Sequence, residues 1–196
     1  MCRGVKMLPI TFEKITVPYG NEELFDWKSR NPKTVPQFAL NWNDPGVSNG
    51  YGFGEWKAEQ HFRQQGFYVI NNEFNLLSKH SKFERYNQII KLMIHEPGLN
   101  LFLDAVQRLT SQGYSIENPD LFVYNLHTSF FAEVKREKDV LREPQLRFML
   151  LARLLLKTES KLVYMSDTDS SISYEIITEK VALPNDVLEM LSNVQS

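Results

Sequence analysis

The chain has 196 residues, a formal net charge of −2 at pH 7 and an apolar content of 42%, all ordinary for a globular protein. The single cysteine, Cys2, excludes an internal disulfide, and the near-neutral charge excludes nucleic-acid binding through bulk positive charge alone. The longest apolar run, at 148–156, is short and interrupted by Arg153, and no secretory leader is recognisable. We therefore expect a soluble, cytoplasmic protein with no membrane partner.

The first third of the chain predicts a strand, an arm and a helix–strand unit. A β-branched run at 10–17 predicts a strand that proline and glycine end. Residues 21–50 are rich in Asn, Pro and Gly and predict irregular structure, either an arm packed over the core, which we favour, or a flap that contacts substrate. A helix is predicted at 55–65 and a strand at 67–70.

The middle of the chain predicts two helices, 83–94 and 99–112, each with an apolar stripe. Strand character returns at 114–124. A further helix is predicted to begin at Pro144, because proline fits the first helical turn. The tail then predicts two strands and a short helix, at 161–165, 172–177 and 186–193.

Charged residues flank two apolar runs in the second half of the chain. Asp120 opens the first run, Glu133 and Lys135 close the second, and 125–128 suits a hairpin turn between them. Side chains alternate along a strand, so Glu133 and Lys135 share a face, and an antiparallel pairing brings Asp120 near Glu133. Two carboxylates suit Mg²⁺, and a lysine beside them can stabilise charge on a phosphate. This cluster predicts phosphodiester chemistry.

Pro119-Asp120 followed by Glu133-Val134-Lys135 resembles the signature of the PD-(D/E)XK nuclease superfamily. The segment 139–145 resembles the VRR-NUC branch, which is related to Holliday-junction resolvases. One departure is Asn118, which stands where those nucleases often have glycine.

The resemblance covers 54–70 and 118–165. It implies a restriction-endonuclease-like α/β fold, with a small central mixed sheet flanked by helices, in a single domain over 1–196. Residues 1–50 then form an N-terminal arm, and residues 71–113 form a helical insert.

The resemblance also implies the roles of individual residues. The implied catalytic residues are Asp120, Glu133, Lys135, Gln145 and Glu55, with Glu59 as the second choice for the first-helix acid. The implied ligands of Mg²⁺ or Mn²⁺ are Asp120, Glu133, Glu55 and the carbonyl of Val134. The basic residues expected to contact DNA are Lys138, Arg142 and Arg147.

The predicted function is a metal-dependent DNA endonuclease. The alternative is a non-catalytic module on the same fold that binds DNA or protein. A homodimer is a further expectation, because cleavage of two strands often uses two sites. The four histidines lack zinc-site spacing, and the glycine-rich stretch 50–54 lacks the lysine of a phosphate-binding loop.

Overall fold

A computed structural model describes residues 4–41, 45–71, 73–136, 139–169 and 171–194, which form a mixed α/β structure. The strands are β1 Val5–Pro18, β2 Tyr68–Asn71, β3 Leu121–Tyr124, β4 Ser129–Arg136, β5 Glu159–Ser166 and β6 Ser173–Pro184. The α-helices are α1 Asn21–Ser29, α2 Gln37–Leu40, α3 Phe53–Gln64, α4 Glu84–Lys91, α5 Glu96–Ser111, α6 Glu143–Leu151 and α7 Asn185–Val194. Within these ranges, no helix has the length and apolar character needed to cross a membrane.

The strands form one six-stranded mixed sheet in the order β2-β3-β4-β5-β1-β6. β2, β3 and β4 form an antiparallel meander, and β4 and β5 are parallel with α6 in the connection between them. β1 pairs in parallel with β5, and β6 pairs antiparallel with β1 at the sheet edge. The expected mixed sheet flanked by helices is therefore confirmed.

Each face of the sheet has its own hydrophobic core. On one face, α3 buries Phe53 and Phe62 beside the β-branched side chains of the strands. On the other face, α5 and α6 bury aromatic side chains that include Phe102 and Phe148. The alternation of side chains along β3 and β4 supplies both cores at once, which explains why their apolar runs are continuous.

The predicted hairpin between β3 and β4 is confirmed. The side-chain Oδ1 of Asn125 accepts hydrogen bonds from the backbone N–H groups of His127 at 2.8 Å and Thr128 at 2.9 Å. This local bonding fixes the turn and therefore the register of the two strands. Leu121 lies opposite Ala132, so Asp120 lies opposite the end of β4.

Two predicted segments differ from the structure. Residues 21–50 are not mainly irregular: they include α1, α2 and a 3-10 turn at Pro45–Asn49, and Trp27 is fully buried. Residues 114–120 precede β3 instead of belonging to it. Their backbone bonds lie outside the sheet, with Tyr114 N–H donating to the carbonyl of Leu109 and Glu117 N–H to that of Pro144.

The two helices of the predicted insert are present as α4 and α5. α5 packs against a π-helical turn at Ala152–Leu156 that continues α6. The contact is backbone to backbone at Gly98, where an added Cβ atom would lie 1.8 Å from the carbonyl oxygen of Leu155. Glycine is therefore needed there for close approach rather than for its dihedral freedom.

Candidate functional site

The β3–β4 hairpin brings the predicted acids together. The Oδ2 atom of Asp120 accepts a hydrogen bond from the backbone N–H of Val134 at 2.8 Å. This bond holds the Asp120 carboxylate across the last residues of β4, beside Glu133. The position follows from the register that the Asn125 turn imposes.

Glu133 and Lys135 lie on the same face of β4, as their spacing predicted. The Nζ atom of Lys135 lies 2.7 Å from Oε1 of Glu133 in a buried ion pair. The side chain of Gln145 on α6 donates a second hydrogen bond to the same oxygen at 2.5 Å. The Glu133 carboxylate is therefore fixed from two directions.

Gln145 is placed by the start of α6. Its side-chain oxygen accepts a hydrogen bond from the backbone N–H of Arg142 at 2.9 Å, which is the reciprocal half of a helix-capping arrangement. Pro144 occupies the first turn, where its missing N–H leaves no helical bond unmade. The same side chain therefore caps α6 and reaches Glu133.

These groups line one open cavity of about 420 Å³. Its lining residues are Glu55, Asp120, Glu133, Val134, Lys135, Asp139, Val140, Arg142 and Gln145. The structure thus places all five residues predicted as catalytic around one space.

Glu55 reaches the cavity because α3 approaches β4 closely at its first turn. A Cβ atom on Gly54 would lie 3.2 Å from Cγ1 of Val134. Glu59 faces elsewhere: it pairs with Arg63 at 2.8 Å and accepts a hydrogen bond from Asn71. Of the two candidates on this helix, the geometry places Glu55 at the cavity and Glu59 outside it.

Burial shapes the electrostatics of the three acids. Burial and the nearby Asp120 carboxylate raise the pKa of Glu133 to about 8, although Lys135 opposes the shift. Burial also raises the pKa of Asp120, against the hydrogen bond from Val134. The pKa of Glu55 is raised by burial and then by Asp120. The Asp120–Glu133 pair therefore retains a proton readily near neutral pH, because two close carboxylates in a desolvated site resist joint ionisation.

The donor set fits a hard divalent cation through two carboxylates. Mg²⁺ is commonly held by one or two carboxylates, with water and substrate oxygens completing its ligands. Asp120 and Glu133 supply those two. Glu55 lines the same cavity, but across the described ranges no group of three or more acidic, histidine or cysteine side chains is close enough to hold an ion together. The contact of Glu55 with the ion, which the resemblance implies is often mediated by water, stays a prediction.

Asn118 replaces the expected glycine and has a bonding role of its own. Its Oδ1 atom accepts from the backbone N–H of Leu76 at 3.0 Å, and its Nδ2 atom donates to the carbonyl of Pro119 at 2.9 Å. The side chain therefore ties the residue before Asp120 to the beginning of the insert.

The three basic residues predicted to contact DNA differ in how the structure places them. Lys138 lies outside the described residues. Arg142 has a side chain that is 58% exposed at the rim of the cavity, where it pairs with Glu117 at 2.7 Å, so its DNA contact stays a prediction.

Arg147 corrects the prediction, because its guanidinium is buried. Only 5% of the residue is exposed. It donates to the carbonyl oxygens of Ser115 at 2.9 Å and Ala182 at 3.2 Å, pairs with Glu143, and lies over the ring of Tyr114. Arg147 therefore joins α6 to β6 and to the segment before β3, and it is not available to DNA.

Sequence reasoning assigned no role to Asp139 or to the loop before α3. Asp139 lines the cavity, and its carboxylate accepts from the backbone N–H of Arg136 at 3.3 Å. The guanidinium of Arg136 donates to the carbonyl oxygens of Gly50 and Asn49. This contact holds the glycine-rich loop beside the end of β4. The glycines at 50 and 52 are the local sequence signal of that loop, because both have positive φ angles in the structure.

Comparisons with protein families, with curated proteins and with solved structures found no match to this chain.

Proposed function

We propose that this chain is a metal-dependent DNA endonuclease that hydrolyses phosphodiester bonds. The observation that carries the proposal is the convergence of Asp120, Glu133, Lys135 and Gln145 on one open cavity. Asp120 and Glu133 offer oxygen ligands, and Lys135 offers a positive charge next to them. Phosphodiester hydrolysis needs this combination, because charge develops on the phosphate while water attacks.

The order of the elements supports a restriction-endonuclease-like core within the larger sheet. When the insert helices α4 and α5 are set aside, the order α3-β2-β3-β4-α6-β5 contains a helix, an antiparallel meander, a crossover helix and a parallel strand. That is the order expected from the resemblance of 54–70 and 118–165 to the PD-(D/E)XK nucleases. In this proposal β1 and β6 extend the core sheet beyond β5.

Each side chain has a defined part in the proposed site. Asp120 and Glu133 would hold Mg²⁺ or Mn²⁺, with the carbonyl of Val134 as a further ligand implied by the resemblance. When bound, the ion supplies an acidified water and neutralises charge on the phosphate. Lys135 orients the attacking water or stabilises the phosphate oxygens, and Gln145 keeps Glu133 in position.

Glu55 has a different proposed part from a direct ligand. Its carboxylate lines the cavity opposite β4, and the chain places no third acid within joint ligand distance among its described residues. It would contact the ion through water or accept a proton from the attacking water. Asp139 lines the same wall and would order solvent there.

One observation favours the alternative, a non-catalytic module that binds DNA or protein. Lys135 is already paired with Glu133 at 2.7 Å, and a lysine held only for charge balance would have no part in hydrolysis. The open cavity in front of the pair favours the enzyme, because a purely structural ion pair gains nothing from facing solvent-accessible space. Saturable Mn²⁺ binding separates the two functions.

The test combines binding and cleavage. Purified protein is titrated with Mn²⁺ by calorimetry and incubated with linear, branched and single-stranded DNA, with and without Mg²⁺ or Mn²⁺. We expect Glu133→Ala to remove both saturable Mn²⁺ binding and cleavage, and Lys135→Ala to remove cleavage alone.

Two surface variants serve as matched controls, Glu159→Ala in an exposed ion pair and Lys28→Ala on an exposed helix face. Both should cleave like the wild type. Metal-independent cleavage, or full activity in Glu133→Ala, would defeat the proposed mechanism. Absence of saturable Mn²⁺ binding in the wild type would favour the binding module.

A further inference from the structure

A second cavity, of about 460 Å³, is lined by residues of α2, α3 and β2. Its lining residues are Phe38, Gly52, Trp56, Glu59, Arg63, Val69, Asn71 and Glu73. Its volume falls in the range typical of small-molecule sites. None of the residues proposed for hydrolysis lines it.

One side of this cavity is aromatic. Phe38 is 47% exposed, and Trp56 is half-buried with its indole against that of Trp27, at a centroid distance of 5.1 Å and a tilt of 30°. Val69 adds an apolar surface from β2. The packing against Trp27 fixes the Trp56 ring, so the aromatic wall is formed before any ligand arrives. Such walls suit flat, apolar-faced ligands.

The other side of the cavity is rich in hydrogen-bond acceptors. The Oε2 atom of Glu59 accepts from Nδ2 of Asn71 at 3.1 Å. This bond fixes the orientation of the amide, whose Oδ1 atom is buried and is not exposed to the cavity. Glu73 lines the same end, and Arg63 is engaged by Glu59. A ligand that fits this end brings N–H donors.

The cavity is separated from the proposed active site by one intermediate cavity along the glycine-rich loop. Gly52 lines both this cavity and an intermediate one of about 380 Å³. The intermediate cavity shares Glu55 and Lys135 with the proposed active site. A strand with its phosphate at the active site could therefore extend along the loop to the aromatic wall.

We propose that this cavity is a base pocket, which takes an unstacked nucleobase carrying an exocyclic amino group. Phe38 and Trp56 stack on the base, while the carboxylates of Glu59 and Glu73 accept hydrogen bonds from its N–H groups. Stacking on aromatic side chains is a general mode of binding for single-stranded nucleic acid. Acceptors at the polar end disfavour thymine, which presents two carbonyl groups and a single ring N–H.

The inference deepens the proposed function and rests on it for the path of the strand. It assigns the substrate class: DNA with at least one unpaired nucleotide near the scissile phosphate, such as a flap, a branch or a single strand. A fully paired duplex would need to extrude a base, which loses the stacking and pairing of that base. The endonuclease should therefore prefer unpaired substrates.

The binding test uses free nucleotides and needs no cleavage. Isotope-labelled protein is titrated by NMR with dAMP, dCMP, dGMP and dTMP, and the Trp56 indole and Asn71 amide signals are followed. We expect saturable shifts for the three amino-bearing nucleotides and roughly 10-fold weaker binding of dTMP. Phe38→Ala should weaken binding by roughly 10-fold through loss of stacking.

Controls separate the base pocket from the proposed active site. Phe25→Ala removes a phenylalanine that is 69% exposed and does not line the cavity, so binding should be unchanged. Glu133→Ala should abolish cleavage and leave nucleotide binding intact. Glu59→Gln changes the acceptor and keeps the stacking surface of Phe38, whereas Phe38→Ala does the reverse. Glu59→Gln should therefore reduce the preference for dGMP over dTMP.

Cleavage assays then test whether the free base and the base of a strand use the same pocket. An abasic position next to the scissile bond should raise KM several-fold with little change in kcat, and Phe38→Ala should remove that difference. Equal binding of all four nucleotides, unchanged binding in Phe38→Ala, or tighter binding of N-acetyl-arginine amide than of dGMP overturns the base pocket. The last result would assign the cavity to an arginine of a protein partner.

Discussion

Replacing Glu133 by glutamine should change how stability depends on pH. In the folded protein, burial and Asp120 raise the pKa of Glu133 from its ordinary value of 4.5 to about 8. The folded state therefore binds this proton more tightly than the unfolded state does. The resulting stabilisation is fully present below about pH 4.5 and is lost as the pH rises towards 8. Glutamine is a neutral isostere that does not titrate, so the variant should lose this dependence.

The size of the effect follows from the pH range between the pKa of Glu133 in the unfolded state and its pKa in the folded state. One proton contributes a slope of roughly 1.4 kcal/mol per pH unit where the folded state is protonated and the unfolded state is not. Between pH 5 and pH 7.5 the free energy of unfolding of Glu133→Gln should therefore gain about 3 kcal/mol relative to the wild type. Glutamine keeps a side-chain oxygen that can accept the hydrogen bond from Lys135, so a change in the strength of that bond shifts the whole curve and leaves its slope unchanged.

The assay is urea unfolding with EDTA at several pH values, and Glu159→Gln controls for the removal of one negative charge. Parallel curves for the wild type and Glu133→Gln would refute the reasoning, because Glu133 would then be ionised in the folded protein despite its burial. Added Mn²⁺ should stabilise the wild type increasingly as the pH rises, and it should leave Glu133→Gln unaffected.

Three further predictions concern stability away from the proposed active site. Arg147→Met should lower the free energy of unfolding by about 2–4 kcal/mol, because two main-chain carbonyl oxygens lose a buried donor. Mn²⁺ binding measured by calorimetry should be retained. A loss of DNA affinity without a loss of stability would contradict the structural role of Arg147. Gly98→Ala should cost about 1–3 kcal/mol in a thermal unfolding assay, because its Cβ atom would meet the Leu155 carbonyl. Gly20→Ala has its nearest neighbour at 3.8 Å and changes only the N-cap residue of α1, so it should cost less than Gly98→Ala in the same assay. His61 is buried and its pKa is lowered by burial, so the unfolded state takes up a proton first as the pH falls. The free energy of unfolding should therefore fall below about pH 6.5 in the wild type, and it should fall less in His61→Gln. Chemical unfolding at several pH values measures both.

The centre of the fold could be predicted because its signals are local. The Asn125 turn sets the β3–β4 register through bonds within three residues, and alternation then fixes which side chains share a face. Those two facts are enough to bring Asp120, Glu133 and Lys135 together. The helix start at Pro144 is likewise a local signal.

Other features depend on partners far away in the chain, which explains why sequence reasoning missed them. An arginine within an apolar helix has the same local pattern whether it faces solvent or the core, and the carbonyls that receive Arg147 come from Ser115 and Ala182. The composition of 21–50 predicted irregular structure and gave no sign of α1. The burial of Trp27 on α1 depends on Phe53 and Trp56, which belong to α3 further along the chain. The base pocket likewise combines residues from α2, α3 and β2.

The proposed active site is costly for the free protein, and that cost follows from its chemistry. Two buried carboxylates and one ammonium leave an excess negative charge, which either a proton or a cation must balance. The raised pKa of Glu133 means that a proton does so near neutral pH. A divalent cation at the same oxygens has to displace that proton, so its affinity should rise with pH and its binding should release protons into solution. The cost in stability and the pH dependence of metal binding therefore have one cause, which is the burial of the Asp120–Glu133 pair.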